Sequence, residues 1–372
     1  MKVSWSQVFA WRMRRQFLDP RSKGDASEIV SRLCGVQAQV WSAGELAVAL
    51  RQSTPDRDSV DRGIADRTLM KTWAMRGTLH LLRPSEAGAY LSLMASTGSW
   101  LKPSWQKASG VSPKQIDELT EEVAAILGEG AVLTRDQLVT RLVADKRFQS
   151  MEERLRSGWG SVLKPLAWRG VLCHGPNQGN KITFTLPERQ FGSDWKQVPE
   201  PDEAAPVVIE SYLGAYGPAT PEIFDRWLSL NSTSKPKLRG WFKDMGDKLT
   251  EVDVEGRQAL MLTEHANELA DIAPYKGARL LGSFDQYVLG PGTKDEVILA
   301  AEHRSAVSRA AGWISPIVVI HGRVVGVWEI LDQEIVVTPF PDSGRLPLKE
   351  MEKEAAHVAR ASQLSRLPVR VV

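Results

Sequence analysis

Cysteine is nearly missing from this chain, which has two in 372 residues, Cys34 and Cys173. Far apart and isolated, they lack the spacing of a disulfide framework or a clustered zinc site. A reducing cytoplasm is therefore the expected compartment. No His-x-x-x-His, Cys-x-x-Cys, Gly-x-Ser-x-Gly or Walker-type loop occurs; Gly290-Pro291-Gly292 lacks a following Gly-Lys-Ser/Thr and reads as a turn. Neither metal nor cofactor is expected. No window approaches the roughly 18–20 uninterrupted apolar residues of a membrane span. The N-terminus has no signal-peptide apolar run, and Arg12, Arg14 and Arg15 follow at once.

What is present is ample apolar material, 42% of residues, enough for two or three domains. Net charge is only +2 but is unevenly spread. Residues 1–200 carry 28 Lys and Arg against 21 Asp and Glu, whereas residues 201–372 carry 19 against 24. A basic N-terminal half fits a polyanionic partner such as nucleic acid. Scatter along a long soluble chain would give the same numbers, so charge alone decides nothing.

A weak repeat organises the chain. Trp73-Ala74-Met75-Arg76-Gly77-Thr78-Leu79-His80 and Ala167-Trp168-Arg169-Gly170-Val171-Leu172-Cys173-His174 each place Arg-Gly between a helix-like stretch and an apolar strand. Glycine suits a helix C-terminal cap there, with arginine in the last turn. The second copy turns through 175–180 into the alternating Lys181-Ile182-Thr183-Phe184-Thr185-Leu186. Upstream, Thr134-x-x-Gln137 is a capping box. A third copy opens with Thr220 as N-cap and Pro221 in the first turn, continues in a helix near 237–245, and ends in a hairpin turning at Glu255-Gly256. Helix, helix and two-stranded wing is the pattern of a winged helix-turn-helix. The expected architecture is α+β, with three tandem winged units: 1–108, 109–200, and 201–372 with a C-terminal β-hairpin extension. Segments 102–114 and 198–206 read as linkers. Ile314–Ile320, His321-Gly322 and Arg323–Ile330 read as a strong hairpin, Glu334–Thr338 as a further strand and Met351–Ser362 as a closing helix.

Among chemically suggestive residues, Gln37 and Gln39 stand out, two amides in the otherwise apolar or small stretch Cys34–Trp41. Buried amides are costly unless fully paired. The pair either caps a helix end or lines a pocket; an extended backbone would turn both amides to one side. Glu121-Glu122 and Glu152-Glu153 read as solvated faces. Asp285, amid Phe284 and Tyr287, reads as a turn or strand-end hydrogen-bond acceptor. His80 and His174 close the first strands of two wings, where a structural role is the default. His80 shares a segment with Arg76 and Thr78. His321 and Arg323 sit at a hairpin tip, where they are ordinary turn residues or a probe for a DNA groove.

Together, Gln37-Ala38-Gln39, Met75–His80, Phe284–Gly290 and Gly312–Pro316 with His321–Trp328 resemble the bacterial winged-helix DNA glycosylases of the AlkZ and YcaQ group. The resemblance covers nearly the whole chain. The Gln-x-Gln form is that of the AlkZ branch, YcaQ-like relatives carrying Gln-x-Asp. It implies three winged helices in a concave, DNA-embracing arrangement and excision of N7-alkylguanine, including the unhooking of interstrand crosslinks of the azinomycin type in self-resistance. It makes Gln37 and Gln39 the catalytic pair. The expected partner is double-stranded DNA bearing N7-alkylguanine monoadducts or crosslinks, met by a monomer in the cytoplasm at the nucleoid. A crosslinked nucleotide resists full extrusion, so the expected site is shallow and open, with the His321-Gly322-Arg323 hairpin probing the minor groove. Phosphate contacts are expected from Arg76, Lys164 and Arg169, with His80 nearby. No Schiff-base lysine is marked, so no lyase activity is expected, Lys71 being the lysine to watch. The rivals are a non-catalytic winged-helix DNA-binding protein or transcription factor, and a protein that sequesters a free toxin.

Overall fold

A computed structural model describes residues 1–372. The fold is mixed α+β with several small sheets, and no helix is long and apolar enough to cross a membrane. The chain divides into two compact units. The first comprises Met1–Asp61, Ile209–Trp227 and Phe242–Val372; the second comprises Arg62–Val208 and Leu228–Trp241.

The first unit is built on a five-stranded sheet in the order Ala278–Leu281, Ile317–Ile320, Arg323–Leu331, Glu334–Pro339, Val369–Val371. The first four strands are antiparallel and the last joins in parallel. The continuous apolar run Ile317–Ile320 follows from burial on both faces. Ile317 and Val319 enter one core with Phe9, Trp11 and Met13, while Val318 enters another with Trp328, Met351 and Val358. The helix Leu348–Ala361 covers that second face. A smaller sheet pairs Leu249–Val254 with Arg257–Leu262, and Lys2–Val3 adds to it in parallel. Glu255-Gly256 turns this hairpin, both residues with positive φ, as the type I′ geometry demands.

In the second unit, Cys173–Gln178 and Lys181–Thr185 form the hairpin read from the sequence, with Leu133–Thr134 on the outer edge of Lys181–Thr185. The Thr134–Gln137 capping box is present. Gly170 follows the helix Lys164–Trp168 at φ 75°, in the capping role its sequence indicates.

Three expectations need correction. Met70–Trp73 is a strand paired with Leu79–Leu82, so Arg76-Gly77 lies in a tight turn and caps no helix. Both residues take left-handed φ, 58° and 68°, to reverse the chain. The segment 102–114 contains the helix Pro103–Ser109, and the helix Pro201–Tyr216 begins within 198–206. Pro103, Pro113 and Pro201 stand at first helical positions, where a missing N–H costs nothing, and Pro206 lies inside the helix Pro201–Tyr216.

Candidate active site

The glutamine segment is placed by a helix stop. The helix Ala26–Arg32 ends in a six-to-one bond from Gly35 N to Val30 O (2.9 Å) and a five-to-two bond from Cys34 N to Ser31 O (3.0 Å). That is a Schellman motif. Cys34 at φ 56° and Gly35 at φ 94° reverse the chain into the extended pair Val36–Gln37. The next helix, Trp41–Ala49, has Val40 as its N-cap with no side-chain cap bond, so neither glutamine occupies the N-cap position. At Gly44 a Cβ would come within 3.4 Å of Gln37 O and Ala38 Cβ, which shows how tightly that helix backs the segment. Gln37 is 8% exposed, whereas Gln39, two residues on in a bend, is exposed. One amide is thus held in the protein body and the other faces solvent.

The same unit holds a buried charged pair. Arg51, just after the helix Trp41–Ala49, and Asp285 are both fully buried. Arg51 Nη1 and Nη2 donate to the two carboxylate oxygens at 2.8 and 2.7 Å. Arg51 Nε also donates to Gln16 O, and Nη1 to Ala47 O. Asp285 accepts from Tyr287 N at 2.8 Å and so caps the short helix Gln286–Leu289. The hydrogen-bonding turn read at Asp285 is there, but the arginine was missed. A lone carboxylate between Phe284 and Tyr287 was the available signal, because a buried carboxylate calls for a cation.

In the second unit the structure gathers Arg76, Gly77, Lys164 and Trp168. A Cβ on Gly77 would lie 3.8 Å from both Lys164 Nζ and the Trp168 ring. Arg76 and Lys164 are half-buried, and desolvation lowers the Lys164 pKa; the same effect acts on Lys71. Arg169 stacks over Trp100 and is held by Asp117 at 2.7 Å, with a second bond to Thr120 Oγ1. His80 is fully buried, and its Nδ1 bonds Thr78 O at 3.0 Å. Burial, then the neighbouring Arg76 charge, pushes its pKa down to about 3. A neutral ring without exposed surface offers nothing to DNA, which corrects the expectation of a contact from His80.

The hairpin tip also differs from a freestanding probe. A Cβ on Gly322 (φ 87°) would fall 2.2 Å from Phe9 Cβ, and Tyr287 Oη donates to Gly322 O at 2.6 Å. Arg323 donates to Val297 O and lies over the Phe9 ring at 5.4 Å. The turn is therefore docked onto the helix Trp5–Arg15, while the His321 and Arg323 side chains stay exposed. Among possible metal ligands, Glu302, His303 and Asp342 come within 4.8 Å of one another. His303 Nε2 and Asp342 Oδ1, 2.5 Å apart, bond directly to each other, leaving no room for an ion between them.

The model of the family described as DNA glycosylase AlkZ-like matches residues 30–361. The chain belongs to the AlkZ-like family. That match takes in Gln37, Gln39, Arg51 and Asp285. A curated relative, an interstrand DNA cross-link repair glycosylase of Streptomyces sahachiroi, is 80% identical over 372 residues, covering all of both chains. The solved structure of Streptomyces sahachiroi DNA glycosylase AlkZ superposes with a TM-score of 0.98, again at 80% identity and full coverage of both chains. Similarity at this level extends the AlkZ-like family's α+β fold over the whole chain.

Proposed function

We propose that this chain is a monofunctional DNA glycosylase that hydrolyses the N-glycosidic bond of N7-alkylguanine and unhooks interstrand crosslinks. The observation that carries this is the 80% identity, over the full length, to a cross-link repair glycosylase. The site chemistry agrees with it. N7-alkylguanine is cationic and leaves without protonation, so a general acid is dispensable. What remains is to position water and to face the oxocarbenium-like sugar with negative dipoles.

Gln37, its backbone braced by the helix Trp41–Ala49, supplies a largely buried amide, and exposed Gln39 a second one at the surface. A neutral amide orients water but is a poor base, which confines the enzyme to good leaving groups. Arg76, Lys164, Arg169, His321 and Arg323 are the candidates for DNA contact. We read residues 1–108, 109–200 and 201–372 as three winged-helix units acting in one monomer.

The test incubates duplex containing N7-methylguanine with the protein and measures released base under single-turnover conditions. Gln37→Ala and Gln39→Ala should each slow release about 100-fold or more, the cost of deleting one preorganised dipole. Wild-type rates in both variants would rule out the glutamine mechanism. Intact glycosidic bonds with the wild-type protein would leave a DNA-binding protein or a toxin-sequestering one.

A further inference from the structure

The first unit contains a cleft of about 250 Å³ that the chemistry above does not use. It lies against the N-terminal end of the helix Pro221–Ser229, with Thr220 and Ile223 in its wall. Arg12 forms part of that wall and is 2% exposed. Its Nε and Nη2 donate to Gly217 O and Pro218 O at 3.2 and 3.1 Å. Nη1 has no hydrogen-bond partner. The nearest carboxylate, Asp295 Oδ2, stands at 3.9 Å, an electrostatic neighbour beyond hydrogen-bond reach. Asp295 Oδ1 is turned to Val297 N. A buried guanidinium donor without an acceptor is costly, and it sits in a cleft wall.

Three more cations line the same cleft: Arg226, Arg257 and Lys294. None of them is in an ion pair, and Arg257 lies over the Trp5 ring at 5.8 Å. Asp295 and Glu296 are the opposing carboxylates, so the lining is positive on balance. Guanidinium forks, a helix N-terminus and a threonine hydroxyl together match the oxygens of a phosphate. Surface cations alone would be unremarkable; the orphaned Arg12 Nη1 marks this cleft as one that takes an anion.

We propose that this cleft is a phosphate-binding subsite and that it seats one backbone phosphate of the DNA. The proposal rests on the glycosylase reading above for its choice of DNA. A phosphate held by Arg12, Arg226 and Arg257 would fix the duplex register without reading sequence.

The test measures binding of a fluorescein-labelled unmodified duplex to the full-length protein by anisotropy, from 50 to 300 mM KCl. Arg226→Gln/Arg257→Gln should weaken binding about 5- to 20-fold at 100 mM KCl. It should also lower the slope of log K against log[KCl] by about 1, the counterion release of one phosphate contact. Arg226→Lys should keep most of the affinity, and Lys353→Gln on the remote closing helix all of it. An unchanged dissociation constant and slope in the double variant would overturn the proposal. Inorganic phosphate provides the second arm. If 10 mM phosphate raised the wild-type Tm at matched ionic strength while the double variant bound duplex normally, the cleft would take small phosphates and the DNA assignment would be overturned. Release of N7-methylguanine is scored separately. Failure of the wild type to release base would refute the glycosylase reading and leave the binding slopes as the measure of the subsite.

Discussion

Two buried polar clusters, one in each unit, are held on opposite terms. In the first, Arg51 and Asp285 are charged and fully buried, yet the carboxylate receives two guanidinium bonds and a backbone N–H. In the second, His80 and His174 are kept neutral by burial, with pKa values driven down to about 3. Their Nε2 atoms and the Thr72 hydroxyl have no hydrogen-bond partner. The first arrangement gains its rigidity from charge that is completely matched. The second gains its shape from packing, with Trp73, His174 and Phe184 in edge and tilted contacts at 5.3–6.0 Å, and tolerates unmatched polar atoms. Equivalent burial therefore predicts opposite responses to the loss of a polar group.

The largest effect should come from the matched pair. Asp285→Asn leaves the Arg51 guanidinium buried beside a neutral amide and should cost about 3–5 kcal/mol in urea denaturation. Replacing both partners, as in Arg51→Met/Asp285→Leu, should recover a large part of that loss, because no buried charge is then stranded. A single variant within about 1 kcal/mol of wild type would show that solvent reaches the pair, and the contrast between the two clusters would collapse.

The histidines should give an intermediate effect with a definite sign. Their folded pKa values lie below the ordinary value of 6.5, so between about pH 3 and 6.5 the unfolded chain binds more protons than the folded one. Stability contributed by the neutral rings is complete above pH 6.5 and is lost as the pH falls towards 3. At pH 4.5 the loss should be roughly 2–3 kcal/mol for each ring. Thermal melts at pH 7.5 and 5 will show it, and His174→Phe should flatten the profile. A profile that does not change between those pH values would mean that the rings are protonated in the fold.

The sequence made local structure legible and long-range pairing illegible. The hairpins 173–185, 249–262 and 317–331 and the Thr134 cap announce themselves through turn chemistry and alternation within a few residues. The strand Met70–Trp73 does not, because its identity depends on pairing Met70 with Leu82 across a turn that imitates a helix cap. Pro103 and Pro201 mislead in the same way, since a proline that punctuates a linker and one that opens a helix look alike. At the candidate site, Gln37 and Gln39 were legible as misplaced amides. The Schellman turn that precedes them and the buried Arg51–Asp285 pair depend on φ angles and on contacts 234 residues apart. The docking of Gly322 on Phe9 was hidden for that reason too, which is why the hairpin tip read as a freestanding probe.

The smallest predicted change has the opposite sign to the first and is the sharper test of the comparison. Thr72 is fully buried and faces His80 across the strand pair Met70–Trp73 and Leu79–Leu82. Its hydroxyl has been desolvated without a compensating bond, whereas its methyl is packed. Thr72→Val keeps the branched shape that suits the strand and removes the desolvated group, so it should raise stability by about 1 kcal/mol. Thr72→Ser keeps the hydroxyl and removes the methyl, and should lower stability by about 1 kcal/mol. A valine variant less stable than wild type by 1 kcal/mol or more would mean that the hydroxyl bonds an ordered water or the His80 ring in solution. The Thr72 hydroxyl would then be matched as the Arg51–Asp285 pair is, and the difference between the two sites would lie only in whether the matched groups carry charge.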